Sequence, residues 1–146
     1  MLRWIELSVY LPLMRVHGYM SNTEPWNYGP EAQQIITRCI KEREALRPYI
    51  EECAQSVSKE GYTLMRPLVF DFADDPMALQ QKYEYMFGPR LLISPVTEPN
   101  ISEWQTYLPK TKGQWRDRRT GKTYEGGQTV TTAVDKSFIP VFELEK

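Results

Sequence analysis

The stretch VSKEGYTLMRPLVFDF, residues 57–72, divides the chain into two textures. Before it, apolar residues recur at helical spacing: Ile35, Ile36, Cys39 and Ile40, then Leu46, Tyr49, Ile50, Cys53 and Val57. Gly61 supplies the left-handed stop that ends such a helix. From Tyr62 to Phe72 the pattern is strand-like, and short β-type runs follow it: Glu84–Phe87, Leu91–Val96, Trp104–Leu108, Thr129–Val134 and Phe138–Phe142. Gly88-Pro89, Pro99-Asn100, Lys112-Gly113 and Gly126-Gly127 punctuate those runs as turns. The reading is a helical first part and a small antiparallel β-sandwich, an α+β chain divided at residues 1–61 and 62–146.

Upstream of Gly61, Leu2 to Tyr10 suits a short helix packed on something larger and truncated at its front, with Pro12 ending it. Leu13 to His17 reads as a brief buried strand, and Gly18 to Gly29 as a polar, aromatic loop. Pro30 and Glu31 open the main helical region, with proline in the first turn and an acid favoured by the helix dipole. Pro48 removes a backbone donor inside it, which predicts a kink or break near Arg47. In the second part, Asp74-Asp75-Pro76 caps a short helix expected to run to about Lys82. Asp71 alternates within its strand and is expected to face outward.

Eighteen basic and nineteen acidic residues leave a net charge of −1, with no electrostatic footprint for nucleic acid. Arg116, Arg118 and Arg119 are interrupted by Asp117 and read as a solvated turn. No apolar run approaches the ~20 residues that span a bilayer, so no membrane partner is expected. Glu6 and Pro12 break the apolar start, which therefore reads as a helix and not as a leader. Cys39 and Cys53 would be about 21 Å apart on one straight helix, so buried free thiols are expected.

Local motifs exclude most chemistries. Thr120-Gly121-Lys122-Thr123 resembles the tail of a phosphate-binding loop, but Arg116 stands where that loop needs glycine. Asn100-Ile101-Ser102 fits a glycosylation acceptor by composition alone. His17 is the single histidine, which rules out histidine metal clusters, and no G-x-S-x-G elbow is present. Glu42, Glu44, Glu51 and Glu52 read as the polar side of helices, so no acid–base pair stands out. His17, at a strand end leading into a loop with Trp26 and Tyr28, is the one candidate contact.

A longer series of motifs runs in order through the chain. Arg3-Trp4-Ile5-Glu6-Leu7 resembles an R-W-x-x-x-G-x-F helix, with Ser8 and Tyr10 at its last two marked positions. Arg15-Val16-His17-Gly18 matches R-x-H-G, and Pro25-Trp26 the loop after it. Leu46-Arg47-Pro48-Tyr49-Ile50 resembles L-L-P-Y-I. Leu64-Met65-Arg66-Pro67-Leu68, Asp74-Asp75-Pro76, Tyr85-Met86-Phe87-Gly88-Pro89 and Leu91-Leu92-Ile93-Ser94-Pro95-Val96 continue the series. Tyr107-Leu108-Pro109, Trp115, Thr120-Gly121, Tyr124, Gly126-Gly127 and Ile139-Pro140-Val141-Phe142 complete it. Together they resemble glycoside hydrolase family 31, the α-glucosidases and α-xylosidases. Arg90, Arg118-Arg119 and the tail Glu143–Lys146 depart from the family's pattern.

The resemblance implies the last strand and helix of a (β/α)8 barrel followed by the family's proximal β-sandwich. It also implies the carboxy-terminal portion of a retaining α-glycosidase. Two carboxyls about 5–5.5 Å apart carry out such hydrolysis. Both belong upstream of the R-W helix, so no catalytic residue maps onto this chain and the chain alone is expected to be inactive. His17 matches the histidine that hydrogen-bonds the sugar in the −1 subsite, while Arg15 is expected to support that strand end. No cofactor or metal is implied. The implied partners are an α-linked oligosaccharide in the intact enzyme and the rest of the barrel as a second chain. A bacterial parent leaves cytoplasm and periplasm both open. The alternative is a stand-alone β-module binding carbohydrate or protein through Trp104, Trp115 and Tyr124.

Overall fold

The computed structural model describes residues 1–145. Three helices come first, α1 (Leu2–Ser8), α2 (Pro30–Ala45) and α3 (Arg47–Glu60). Eight strands follow: β1 (Met65–Pro67), β2 (Tyr85–Phe87), β3 (Leu91–Ile93), β4 (Glu103–Leu108), β5 (Gln114–Asp117), β6 (Thr123–Glu125), β7 (Gln128–Ala133) and β8 (Val141–Glu145). The α2–α3 boundary falls at Leu46, with Pro48 in the first turn of α3, where its missing N–H costs no helical bond. Gly61 ends α3 in the left-handed conformation. The break near Arg47 and the stop at Gly61 are therefore as expected.

Six strands form one antiparallel sheet in the order β1-β2-β3-β8-β5-β6, and β4 pairs with β7 in a second, two-stranded sheet. Strands β2 and β3 of the six-stranded sheet are covered on both sides, which explains their continuous apolar residues. Tyr85, Phe87, Leu91, Ile93 and Val141 alternate onto the face that packs with Ile5, Val9, Ile36 and Cys39 of the helical part. Met86, Leu92 and Phe142 point the other way, onto Trp115, Leu108 and Val130. A helix layer, a sheet and a second sheet thus stack in that order. The α+β class and the antiparallel sandwich hold.

Helices and sheet are joined by specific polar contacts as well as by that core. The Tyr49 hydroxyl donates to the Phe87 carbonyl at 2.8 Å and accepts the Arg90 N–H at 3.1 Å. Gly88 lies between those partners at φ 62°, and a Cβ there would fall 2.2 Å from the same hydroxyl, so no other residue fits. The Tyr85 hydroxyl donates to the Tyr10 carbonyl, and Lys136 pairs with Glu31 across the layers.

Several local expectations are corrected. Leu13–His17 forms no strand and is not buried. A strand needs backbone partners from a neighbour, and none of the eight strands lies beside this segment. Within Tyr62–Phe72 only Met65–Pro67 is extended and paired. Leu68–Phe70 forms a 3-10 turn, and Asp71, exposed as expected, ends that turn instead of lying in a strand and accepts from Arg66 at 2.7 Å. The helix after Asp75 shortens to a 3-10 turn at Ala78–Gln80, although Asp75 does cap it through the Met77 and Ala78 N–H groups. Strands β5 and β6 arise in Gln114–Asp117 and Thr123–Glu125, which carry too few apolar residues to register as strands in sequence. The tail joins the sheet: Glu143 and Glu145 both pair with Arg116 on β5. Cys39 and Cys53 sit on different helices as buried free thiols.

Candidate functional site

His17 lies in an irregular segment between α1 and a 3-10 turn at Pro25–Tyr28. The base of the segment is pinned from α2. Arg43 donates to the carbonyls of Val9 (2.8 Å), Leu11 (2.6 Å) and Pro12 (3.0 Å), the groups left without partners where α1 ends. Its guanidinium also stands 6.0 Å from the Phe87 ring of β2, so one side chain ties the sheet to the direction in which the chain leaves α1. Beyond His17 the chain turns tightly. A Cβ on Gly18 would lie 2.7 Å from the Thr23 methyl and 2.8 Å from the Ser21 carbonyl, so this turn closes only around glycine. His17 thus lies between a base tied to α2 and a tight local turn, and it is exposed.

The sequence did not single out Arg43, yet a signal was there. It falls seven residues after Ile36 and four after Cys39, on the apolar stripe of α2, where an unpaired charge is costly. Arg38 and Glu6 form a similar link. Glu6 is buried on α1 and accepts from Arg38, which also donates to the Ser137 carbonyl ahead of β8. Burial pushes the Glu6 carboxyl up to about 7 against the pull of the Arg38 guanidinium. Glu42, expected on the polar side of its helix, accepts from the Tyr10 hydroxyl and is half-buried.

The remaining buried carboxyls serve structure. Asp75 accepts from the Tyr107 hydroxyl (2.8 Å) and the Lys110 N–H (3.0 Å); burial opposes its charge, but these bonds hold its pKa below the ordinary value. Arg116–Arg119 is not the solvated turn expected: Arg116 and Asp117 end strand β5, Arg116 pairs with Glu143 and Glu145, and Asp117 is buried, where it accepts from the Arg119 and Thr120 N–H groups of the turn that follows. Glu84 accepts the Tyr107 N–H at 2.9 Å with one oxygen, while the other has no partner. Among the described residues no group of three or more histidine, cysteine or acidic side chains could hold a metal ion.

The segment that carries His17 exposes several large apolar side chains beside polar ones. Leu13 (69% exposed), Tyr19 (85%), Met20 (91%) and Trp26 (64%) accompany half-exposed Val16 and Tyr28, with Trp4 of α1 nearby in sequence. The aromatics named for a binding module are spent otherwise. Trp115 is fully buried and donates to the Pro109 carbonyl, Trp104 donates to Ser94, and Tyr124 packs edge-on against Phe142.

Residues 61–144 match the glycosyl hydrolase family 31 C-terminal domain, and residues 1–52 match that family's TIM-barrel domain. The chain belongs to glycosyl hydrolase family 31. It is 44% identical over 140 residues to an α-xylosidase of Saccharolobus solfataricus, covering 96% of this chain and 19% of the relative. It is 35% identical over 145 residues to human neutral α-glucosidase C, covering 98% and 16%. In three dimensions it is similar to a family 31 α-xylosidase from a soil metagenome, solved with xylose, at TM-score 0.94 and 33% identity over 99% of this chain and 24% of that one. A cycloalternan-degrading enzyme of Trueperella pyogenes, solved with a covalent intermediate, gives TM-score 0.93 and 34% identity over 99% and 21%. The chain thus spans about a fifth of the length of these relatives. The resemblance seen in the motifs is borne out, as is the reading of a carboxy-terminal portion.

Proposed function

We propose that this chain forms one wall of the sugar pocket of a retaining α-glycosidase of xylosidase or glucosidase type. Residues 1–61 supply the end of the catalytic barrel and residues 62–146 the proximal sandwich behind it. His17 donates or accepts a hydrogen bond to the sugar in the −1 subsite. The observation that carries this reading is the His17 segment itself: anchored at Arg43, closed at Gly18, and presenting its imidazole outward. A loop whose base and turn are set by Arg43 and Gly18 fits a positioning role, in which geometry fixed before binding lowers the barrier.

The chemical step takes two carboxyls about 5–5.5 Å apart across the glycosidic bond, one attacking the anomeric carbon and one protonating the leaving oxygen. The buried acids of this chain are committed to Arg38, Tyr107 and turn N–H groups, so the reacting pair comes from the rest of the barrel. Without it the chain is inactive. Removing an acid–base group alone costs about 10²–10⁴-fold, and removing the nucleophile ends the covalent route.

The rest of the barrel is also the partner proposed for the exposed apolar surface between Leu13 and Tyr28, whether it is joined to this chain or supplied as a second one. The test is co-expression with the upstream portion of a family 31 α-xylosidase. A stable complex that hydrolyses an aryl α-xyloside or α-glucoside, and loses most of that activity in His17→Ala, supports the reading. Hydrolysis by the purified chain alone, above its own His17→Ala control, would overturn it.

A further inference from the structure

A groove of about 710 Å³ opens between α3 and the β1 edge of the sheet, away from the His17 segment. Its size is within the roughly 300–1,000 Å³ of small-molecule sites. On one wall α3 presents Glu52 and Glu60, two turns apart on one face. Tyr62, Arg66 and Arg90 also line it, with Asp71 paired to Arg66. Arg66 is only 5% exposed. Its Nε donates to Asp71, and its guanidinium stacks 5.1 Å from the Tyr62 ring centroid. Arg90 stacks in the same way, 4.7 Å from the Tyr49 ring. Both arginines line the groove, and a cation held over a ring keeps its N–H edges for hydrogen bonds. Among the described residues those edges have no side-chain hydrogen bond.

The lining decides the ligand class. Two guanidiniums against three carboxylates give no net positive field, which disfavours phosphate or sulfate. A cation would meet both arginines. An apolar ligand would strip water from five charged groups and return no hydrogen bonds. A neutral molecule with many hydroxyls satisfies donors and acceptors together, since each hydroxyl both gives and takes a hydrogen bond, and its C–H face lies against Tyr62. We propose that this groove is an accessory saccharide site, independent of the pocket that His17 lines. The sugar is held between the arginine edges on one side and Glu52 and Glu60 on the other.

The experiment is a titration of the isotope-labelled chain with isomaltose, followed by amide NMR. Shifts are expected at Tyr62–Leu64 and at Gly88 and Arg90, saturating in the millimolar range. Tyr62→Ala and Glu52→Gln, both at half-exposed or exposed positions, should each weaken binding by roughly tenfold, about 1.4 kcal/mol. Absence of shifts at those amides, or equal affinity in both variants, overturns the site. Sodium sulfate moving the same amides overturns the neutral class. Shifts confined to residues 13–28 would overturn the accessory site while supporting the His17 reading, whereas groove shifts that persist in His17→Ala support the accessory site whatever becomes of His17.

Discussion

Every residue of β2 and β3 is buried, whereas no side chain between Leu13 and Tyr28 is. Both stretches are rich in large apolar groups, so hydrophobicity does not separate them. Partners do. Tyr85 to Phe87 and Leu91 to Ile93 alternate between two covering layers that the chain itself provides. The His17 segment is supported at its base by Arg43 and by Met14, which packs against the core, and most of its residues stay exposed. The sheet therefore meets its burial needs within these residues, and the loop does so only against another surface.

The largest effect should come from breaking the self-sufficient half. Trp115→Ala empties a fully buried site between the sheets and should cost about 4 kcal/mol in urea unfolding. A loss near zero would mean that the sandwich does not carry the stability.

Acidity sharpens the same half. Burial pushes Glu84 from 4.5 up to about 7. The folded chain then binds more protons than the unfolded one between those values, so this contribution is present below pH 4.5 and is lost as pH rises through 7. The shift is worth about 3 kcal/mol. Glu84→Gln keeps a neutral side chain of similar shape and should remove that part of the decline. The part due to Glu6, also near 7, remains. An unchanged pH profile in the variant would dismiss burial of Glu84 as the cause.

Arg43 lies on the boundary between the two regions. Arg43→Met should cost about 2 kcal/mol, since hydrogen bonds from a charged donor are lost together. Hydrogen exchange should quicken around Val9–His17 while the sheet stays protected. Uniform loosening of both would show that the arginine holds the core and not the loop. The smallest effect is expected on the open side: Trp26→Ser should change stability by no more than about 0.5 kcal/mol. It should nevertheless weaken capture of the upstream barrel portion, which a pull-down reads directly.

What could be read in advance follows the same division. Pro48, Gly61 and Asp75 act through their own backbone or nearest neighbours, and each did what its chemistry dictates. The alternation of Leu91 to Ile93 likewise depends only on the pleat. Leu13–His17 was misread because its apolar spacing suits a strand, and pairing depends on a neighbour that spacing does not reveal. Strands β5 and β6 were missed for the opposite reason: Gln114, Arg116, Thr123 and Glu125 look like turn residues, and Trp115 alone commits them to the core. His17 is singled out faintly by the aromatic loop after it and mainly by the family's motif, and its contact with sugar remains a proposal. Arg43 was visible only as a charge on a greasy stripe. The groove of Arg66 and Arg90 is lined by residues drawn from Tyr49 to Leu144, beyond the reach of any local pattern.

One feature of the topology bears on how the molecule is made. Strand β8, the last in chain order, lies at the middle of the six-stranded sheet, between β3 and β5. During translation β1–β3 and β5–β6 therefore emerge as two separate ribbons with open edges, each with a hydrophobic face exposed. Domains form in order as they leave the ribosome at roughly 5–20 residues per second, but this one stays split until Val141–Glu145 slides into the gap. The two pairings of Arg116 with Glu143 and Glu145 then act as a latch for that insertion, and nascent chains stalled just short of it should be the species that chaperones hold.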